Sequence, residues 1–307
     1  MNLENHQRKI RVAVSPVLHP KMLLPRLLAI LFLVSILPGC AFVHEMKPVY
    51  PASNLENDGY QAPKGWNLVW SDEFSTGFVD PKNWNRQVEP AGRFNKEWQR
   101  YTDGVDNAYI DRGCLVIKAI HTSDRHGMDQ YTSARLNTAG KHAWKHGKVV
   151  ARMQLPYGAG TWPAFWMLGA NIDENGGDTP WPQSGEIDIM EFYGSKDNAV
   201  VEANIHYAGA DDRHRQMGAE KFRLQEGRFA DAFHVFAMEW DEEKIIWSVD
   251  GQEYARHSLS DPVYSELHQP LFILFNLAIG SSSHRPDDST QFPQYFYIDW
   301  VRVYQKE

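Results

Sequence analysis

Cysteine is all but missing from this chain: two residues, Cys40 and Cys114, serve 307 positions. The disulfide framework that staples small exported domains is therefore excluded, and stability has to come from a buried core. Positive charge is short as well, with 31 Lys and Arg against 39 Asp and Glu. That balance argues against nucleic acid as a partner. Long apolar runs are missing too, since Leu27 to Leu37 is shorter than a bilayer crossing needs. After Trp66 no segment carries a long apolar period of 3.6 residues with caps, which removes helical folds.

Short strands fill that space. Lys148–Met153 alternates, with Val149, Ala151 and Met153 on one face. Lys244–Gly251 alternates and meets Asp250-Gly251, a strong hairpin signal. Leu271–Ile279 is nearly all apolar, as a central strand covered on both faces would be. Tyr295–Tyr304 alternates again, and Cys114 sits in an alternating run as a small buried hydrophobe. The expectation is all-β: one antiparallel sandwich from residue 66 to the end.

The first 65 residues read differently. Arg26, the apolar run Leu27–Leu37 and Leu37-Pro38-Gly39-Cys40 resemble a lipoprotein-type signal peptide over residues 1–40, with Cys40 as the lipidated residue. Met22 is a competing start, and an uncleaved anchor would export the domain equally well. Residues 41–65, rich in Pro and Asn, suit a tether between lipid and domain. The expected setting is the bacterial cell envelope, outer membrane or cell surface, with the membrane a partner through the anchor. Cleavage before Cys40 removes five basic residues and Glu4, so the formal charge falls from −8 to −12.

The chemistry concentrates in Gly185-Glu186-Ile187-Asp188-Ile189-Met190-Glu191, three carboxylates in a β-favouring run. Unpaired acids are costly in apolar surroundings, so such a strand needs a reason for them. Alternation puts Glu186 and Asp188 on one face but Glu191 on the other. A bulge near Ile189 and Met190 would return Glu191 to the acid face. The two glutamates would then lie roughly 13 Å apart at Cα. Their side chains could lean in to the ~5 Å separation that retaining glycoside hydrolysis uses. Upstream, Trp162, Ala164 and Trp166 share a face, and Trp181 follows. Such indoles can line a sugar cleft or simply pack a core. His142 and His146 read as solvent-facing rather than metal ligands. Asp173, Glu174 and Asp178 lie in a loop without calcium-ligand spacing.

Taken together, Tyr131–Arg135, Trp162–Gly169, Trp181-Pro182, Gly185–Glu191, Asn276–Gly280 and Asp299–Tyr304 resemble, in order, the blocks of glycoside hydrolase family 16, in its bacterial laminarinase-like β-glucanase branch. The resemblance implies a β-jelly-roll with a concave, endo-acting cleft and a polysaccharide substrate, most simply a β-glucan. It makes Glu186 the nucleophile, Glu191 the general acid/base and Asp188 an assisting carboxylate. It also implies that His206 stands beside the acid/base and that Arg135, Asn95 and Glu97 line the cleft. Glu73 and Asp299 match positions where members hold a structural calcium, although the reaction itself requires no cofactor. Nothing in the sequence demands more than a monomer. One departure stands out: where the pattern expects a second glycine and a tryptophan after Gly280, this chain has Ser281-Ser-Ser-His-Arg-Pro286. His284 and Arg285 would join the cleft rim, and an algal galactan of the agarose or carrageenan type, sulfated or not, is the alternative substrate. A non-catalytic carbohydrate-binding sandwich is the alternative outside enzymes.

Overall fold

The computed structural model describes residues 60–195, 198–218 and 220–306. The signal segment, Cys40 and the tether up to residue 59 lie outside the described residues. Two β-sheets pack face to face as the expected jelly-roll sandwich, and among the described residues helix is limited to two short 3₁₀ segments. Among the described strands pairing is antiparallel except between Gln99–Tyr101 and Asp129–Ser133, and one isolated bridge, Ile172 to Thr179, is also parallel. Among the described residues no helix is long and apolar enough to cross a membrane.

The sheet that carries the site runs in the order His214–Gln216, Val200–Ala208, Glu186–Glu191, Thr161–Gly169, Leu271–Ile279, Arg135–Asn137, Asn85–Arg86. The centre of the opposite sheet is built from Lys244–Val249, His234–Trp240, Gly147–Gln154 and Gln294–Lys306. Alternation does the sorting. Phe165 and Met167 point into the inter-sheet core, while Trp162, Ala164, Trp166 and Leu168 face outward to a cleft. Val149, Ala151 and Met153 enter the same core from the opposite sheet, as their spacing predicted. Asp250 (φ 49°) and Gly251 (φ 78°) make the two-residue hairpin turn.

Leu271–Ile279 is buried throughout, but its two faces are covered differently. Ile273, Phe275 and Leu277 join the main core. Phe272 and Leu274 pack with Leu168 and Ile172 in a second small cluster on the cleft side.

Two expectations need correction. The fold begins before residue 66: Tyr60 stacks on Trp300 (5.4 Å) and Tyr304 (6.2 Å), and Ala62 and Trp66 join the same apolar ledge. The last part of the supposed tether is therefore packed, because an aromatic ledge on the outer face would otherwise stay in water. Nor do His142 and His146 face solvent. His142 packs against Trp70 and Trp144 and bonds Asn83 (2.9 Å), while His146 meets Trp240 edge-on and lies 3.2 Å from His268. Neutral imidazole is a flat ring, and burial holds both below the ordinary histidine range.

Candidate active site

The acid strand enters the sheet from Gly185, whose φ of 77° suits glycine and whose missing Cβ leaves room for the backbone of Glu266. Glu186 pairs with Leu168 and Asp188 with Trp166. The register then slips, so that Met190 pairs with Phe165 and Glu191 with Ala164. Ile189 and Met190 are both buried in the inter-sheet core, and this extra inward residue turns Glu191 back to the acid face. The bulge expected from spacing is present at the expected place. Its interrupted ladder is closed from behind: Trp247, on the opposite sheet, donates its indole N–H to the Asp188 carbonyl at 3.0 Å.

Glu186, Asp188 and Glu191 all line one cleft of about 700 Å³, with Trp162, Trp166 and Trp181 around them. Trp181 donates its indole N–H to Glu186 Oε2 (2.8 Å). His206, directly across the ladder from Glu186, sets Nε2 3.8 Å from Glu186 Oε1 and 3.1 Å from Asp188 Oδ2. Glu186 Oε2 is thus hydrogen-bonded, and Oε1 faces His206 at ion-pair distance only. Glu191 differs, because Trp162 (3.0 Å) and Tyr193 (3.1 Å) both donate to Oε1 and leave Oε2 toward the cleft. His206 thus stands closer to Glu186 and Asp188 than to its expected neighbour Glu191, since the cross-strand register sets its position.

Burial raises the proton affinity of all three carboxyls. Charge on Asp188 adds to the rise on Glu186, and charge on Glu191 adds to the rise on Asp188. Interaction with the Glu186 carboxyl draws Asp188 partly back. The rise is larger on Glu186, to which the charge of Asp188 adds, than on Glu191, where hydrogen bonds from Trp162 and Tyr193 oppose it, and this alone would leave the proton on the wrong group for attack by Glu186. The charge of His206 and the Trp181 hydrogen bond oppose that rise on Glu186, while Glu191 keeps one oxygen to which no described side chain donates, for the proton it must carry.

The remaining expected residues converge on the same cleft. Arg135 is buried between Phe94 and Trp166, its guanidinium 4.4 and 4.8 Å from their ring centroids, and it is held by Gln87 (2.5 Å) and Glu174 (2.7 Å). Glu97 is buried among Gln99 (2.6 Å), Tyr101 (3.0 Å) and Asn95 (3.3 Å), and burial raises its proton affinity. Asn95 reaches it from a left-handed backbone, φ 47°.

Sequence reasoning missed Tyr193, two residues beyond Glu191, and Asn276, which accepts the Trp166 indole N–H at 2.7 Å. It also missed Glu174, which belongs to the cleft through Arg135, and Glu202 and His214 on the wall beyond His206. Tyr193 carried a signal, since it continues the acid strand; the others come together only through the topology.

His284 and Arg285 do not line the cleft. The loop turns back on itself, Ser281 N–H donating to the His284 carbonyl (2.7 Å), while His284 Nε2 accepts the Gly160 N–H (3.1 Å). Its ring meets Tyr193 edge-on, and Arg285 lies over Trp98. Glu73 and Asp299 were matched to calcium, but each is neutralised by an arginine: Glu73 by Arg302 at 2.7 and 2.8 Å, Asp299 by Arg152 at 2.5 Å. That pair lacks the uncompensated charge a divalent ion needs, so the residues do not fit it.

Known proteins share this geometry's sequence and fold. The chain is 36% identical over 285 residues to the "Beta-glucanase" of Rhodothermus marinus, covering 89% of this chain and 93% of that protein. It is 33% identical over 268 residues to "Glucan endo-1,3-beta-glucosidase A1" of Niallia circulans, covering 79% of this chain but 38% of that longer protein. Among solved structures, the laminarinase catalytic domain of Thermotoga maritima MSB8 superposes with a TM-score of 0.68 at 41% identity, covering 80% of this chain and all of that one. The model of glycosyl hydrolases family 16 matches residues 102–302, and the chain belongs to that family.

Proposed function

We propose that this protein is an endo-acting β-glucan hydrolase that cleaves β-1,3 or mixed β-1,3/1,4 linkages with retention. The observation that carries the reading is the bulged acid strand, which turns Glu186, Asp188 and Glu191 into one open cleft walled by indoles. Glu191 gives its proton to the glycosidic oxygen while Glu186 attacks the anomeric carbon. The leaving chain departs and a glycosyl ester forms on Glu186. Glu191, now a carboxylate, takes a proton from water as that water attacks the same carbon, and Glu186 is released ionised. Asp188 holds the proton that Glu186 must shed before attack, with His206 beside both.

The cleft favours a neutral polymer. Seven carboxyls line it (Glu97, Asp173, Glu174, Glu186, Asp188, Glu191, Glu202) against Arg93 and Arg135, and Arg135 is already paired with Glu174. A sulfated galactan would meet like charge there, and His284 and Arg285, its proposed readers, are engaged elsewhere. Laminarin, barley mixed-linkage glucan, agarose and carrageenan, compared by reducing ends released, test the reading. Activity on either glucan with none on the galactans is expected, and binding without cleavage of any would refute it. Attachment to the envelope through Cys40 belongs to the same proposal and rests on the lipobox-like Leu37–Cys40. Cys40→Ser should move the protein out of the membrane fraction, and unchanged retention would sink the anchor.

A further inference from the structure

We propose that His214 is a positioning residue for the nucleophile, acting through the two side chains that hold Glu186: His206, by a hydrogen bond between ring nitrogens, and Trp181, by ring packing. The inference rests on the hydrolase reading above. His214 Nε2 lies 2.9 Å from His206 Nδ1 with the rings nearly parallel (18°), and its ring centroid is 4.5 Å from that of Trp181. One exposed imidazole thus touches both the donor of Glu186, Trp181, and the ring that faces its other oxygen, His206. Its strand, His214–Gln216, is exposed along its length, so His214 contributes little to the core. The wall that carries it is tied down on both sides. Gln183 donates to the Asp212 carbonyl (3.2 Å), joining the Trp181 loop to the turn before His214, and Glu266 accepts the Ala208 N–H (2.6 Å).

The hydrogen bond has a consequence for charge. His206 turns Nε2 toward Glu186 and Asp188, a geometry that suits a proton on that nitrogen. Its Nδ1 can then accept from His214, leaving His206 neutral, or donate to it, making His206 a cation. Burial, followed by His206 and Arg215, holds His214 below the ordinary histidine range, so His214 stays neutral, with a ring nitrogen able to accept from His206 Nδ1. The charged groups facing the pair are Glu186, Asp188 and Glu191 on the acid strand, Glu202 on the strand of His206, and Arg215, itself bound to Asp211. Where His206 carries both ring protons its charge opposes the upward push on Glu186, and an acceptor at His214 is what stabilises that form.

Wild type, H214F and H214Q, assayed on laminarin across pH, separate this from a structural role. Phenylalanine keeps a ring against Trp181 but cannot accept a hydrogen bond, whereas the glutamine amide oxygen can. H214F should move the acid limb of kcat/KM upward by about half a pH unit or more, the size expected for one lost hydrogen bond. H214Q should restore most of that shift, with the melting midpoint unchanged in both. An unmoved acid limb in H214F, or equal shifts in the two variants, would overturn the proposal. Imidazole nitrogen NMR without substrate probes the same hydrogen bond independently of turnover: H214F should alter the His206 Nδ1 signal, and an unaltered signal would also overturn it. A wild type inactive on every glucan would count against the hydrolase reading alone, because the NMR result still decides the role of His214.

Discussion

At the scale of single residues, the site stores unfavourable burial where it does its chemistry. The folded state raises the proton affinity of Glu186, so that group favours folding fully below its unfolded pKa of about 4 and loses the contribution as pH climbs through the raised value. Glu186→Gln should therefore abolish turnover yet raise the melting midpoint at neutral pH, by about 2–4 °C for each kcal/mol regained. Calorimetry of the two proteins at pH 4 and pH 8 checks this, with the difference expected only at the higher pH. The same shifts place the activity profile. Turnover should rise as Glu186 ionises, above the ordinary carboxylate range. An acid limb at the pKa of a free glutamate would contradict this.

At the scale of elements, the bulge is the part on which the rest depends. Replacing Trp247 by Phe leaves the Asp188 carbonyl without its donor in a buried setting. That should cost about 1–3 kcal/mol of stability. It should also lower kcat more than it raises KM, because the spacing of the acids changes while the cleft walls do not. Steady-state kinetics and a urea titration on one preparation would test both effects. The bulge itself was legible in the sequence, since period-two alternation and three acids at those positions could not otherwise share a face. So were the indole strand and the hairpin at Asp250-Gly251. What stayed hidden was pairing across the sheet. Nothing local tells that His214 stacks on His206, that Glu174 reaches Arg135 from a loop, or that Ser281–Pro286 folds away from substrate. Those contacts are set by which strands become neighbours, and a local pattern does not encode that.

At the scale of the molecule, a sandwich without described disulfides is held by one continuous core, and its thiol reports on it. Cys114 is buried beside Asp299, and burial first, then that charge, pushes its thiol up to about 12. It should resist thiol reagents in the folded protein and react only on global unfolding. The rate of aromatic disulfide labelling in urea would then follow the loss of near-ultraviolet circular dichroism. Labelling that ran ahead of unfolding would reveal local opening of the outer sheet. The two layers also divide their labour through the Trp247 indole. The step that aligns the acids is clamped from the rear sheet, whereas the loops and indoles that meet the polymer belong to the front. Cleft walls can therefore be exchanged between relatives to retarget the enzyme while its cutting geometry stays intact, and a substitution on the far sheet, remote from any sugar, can silence it.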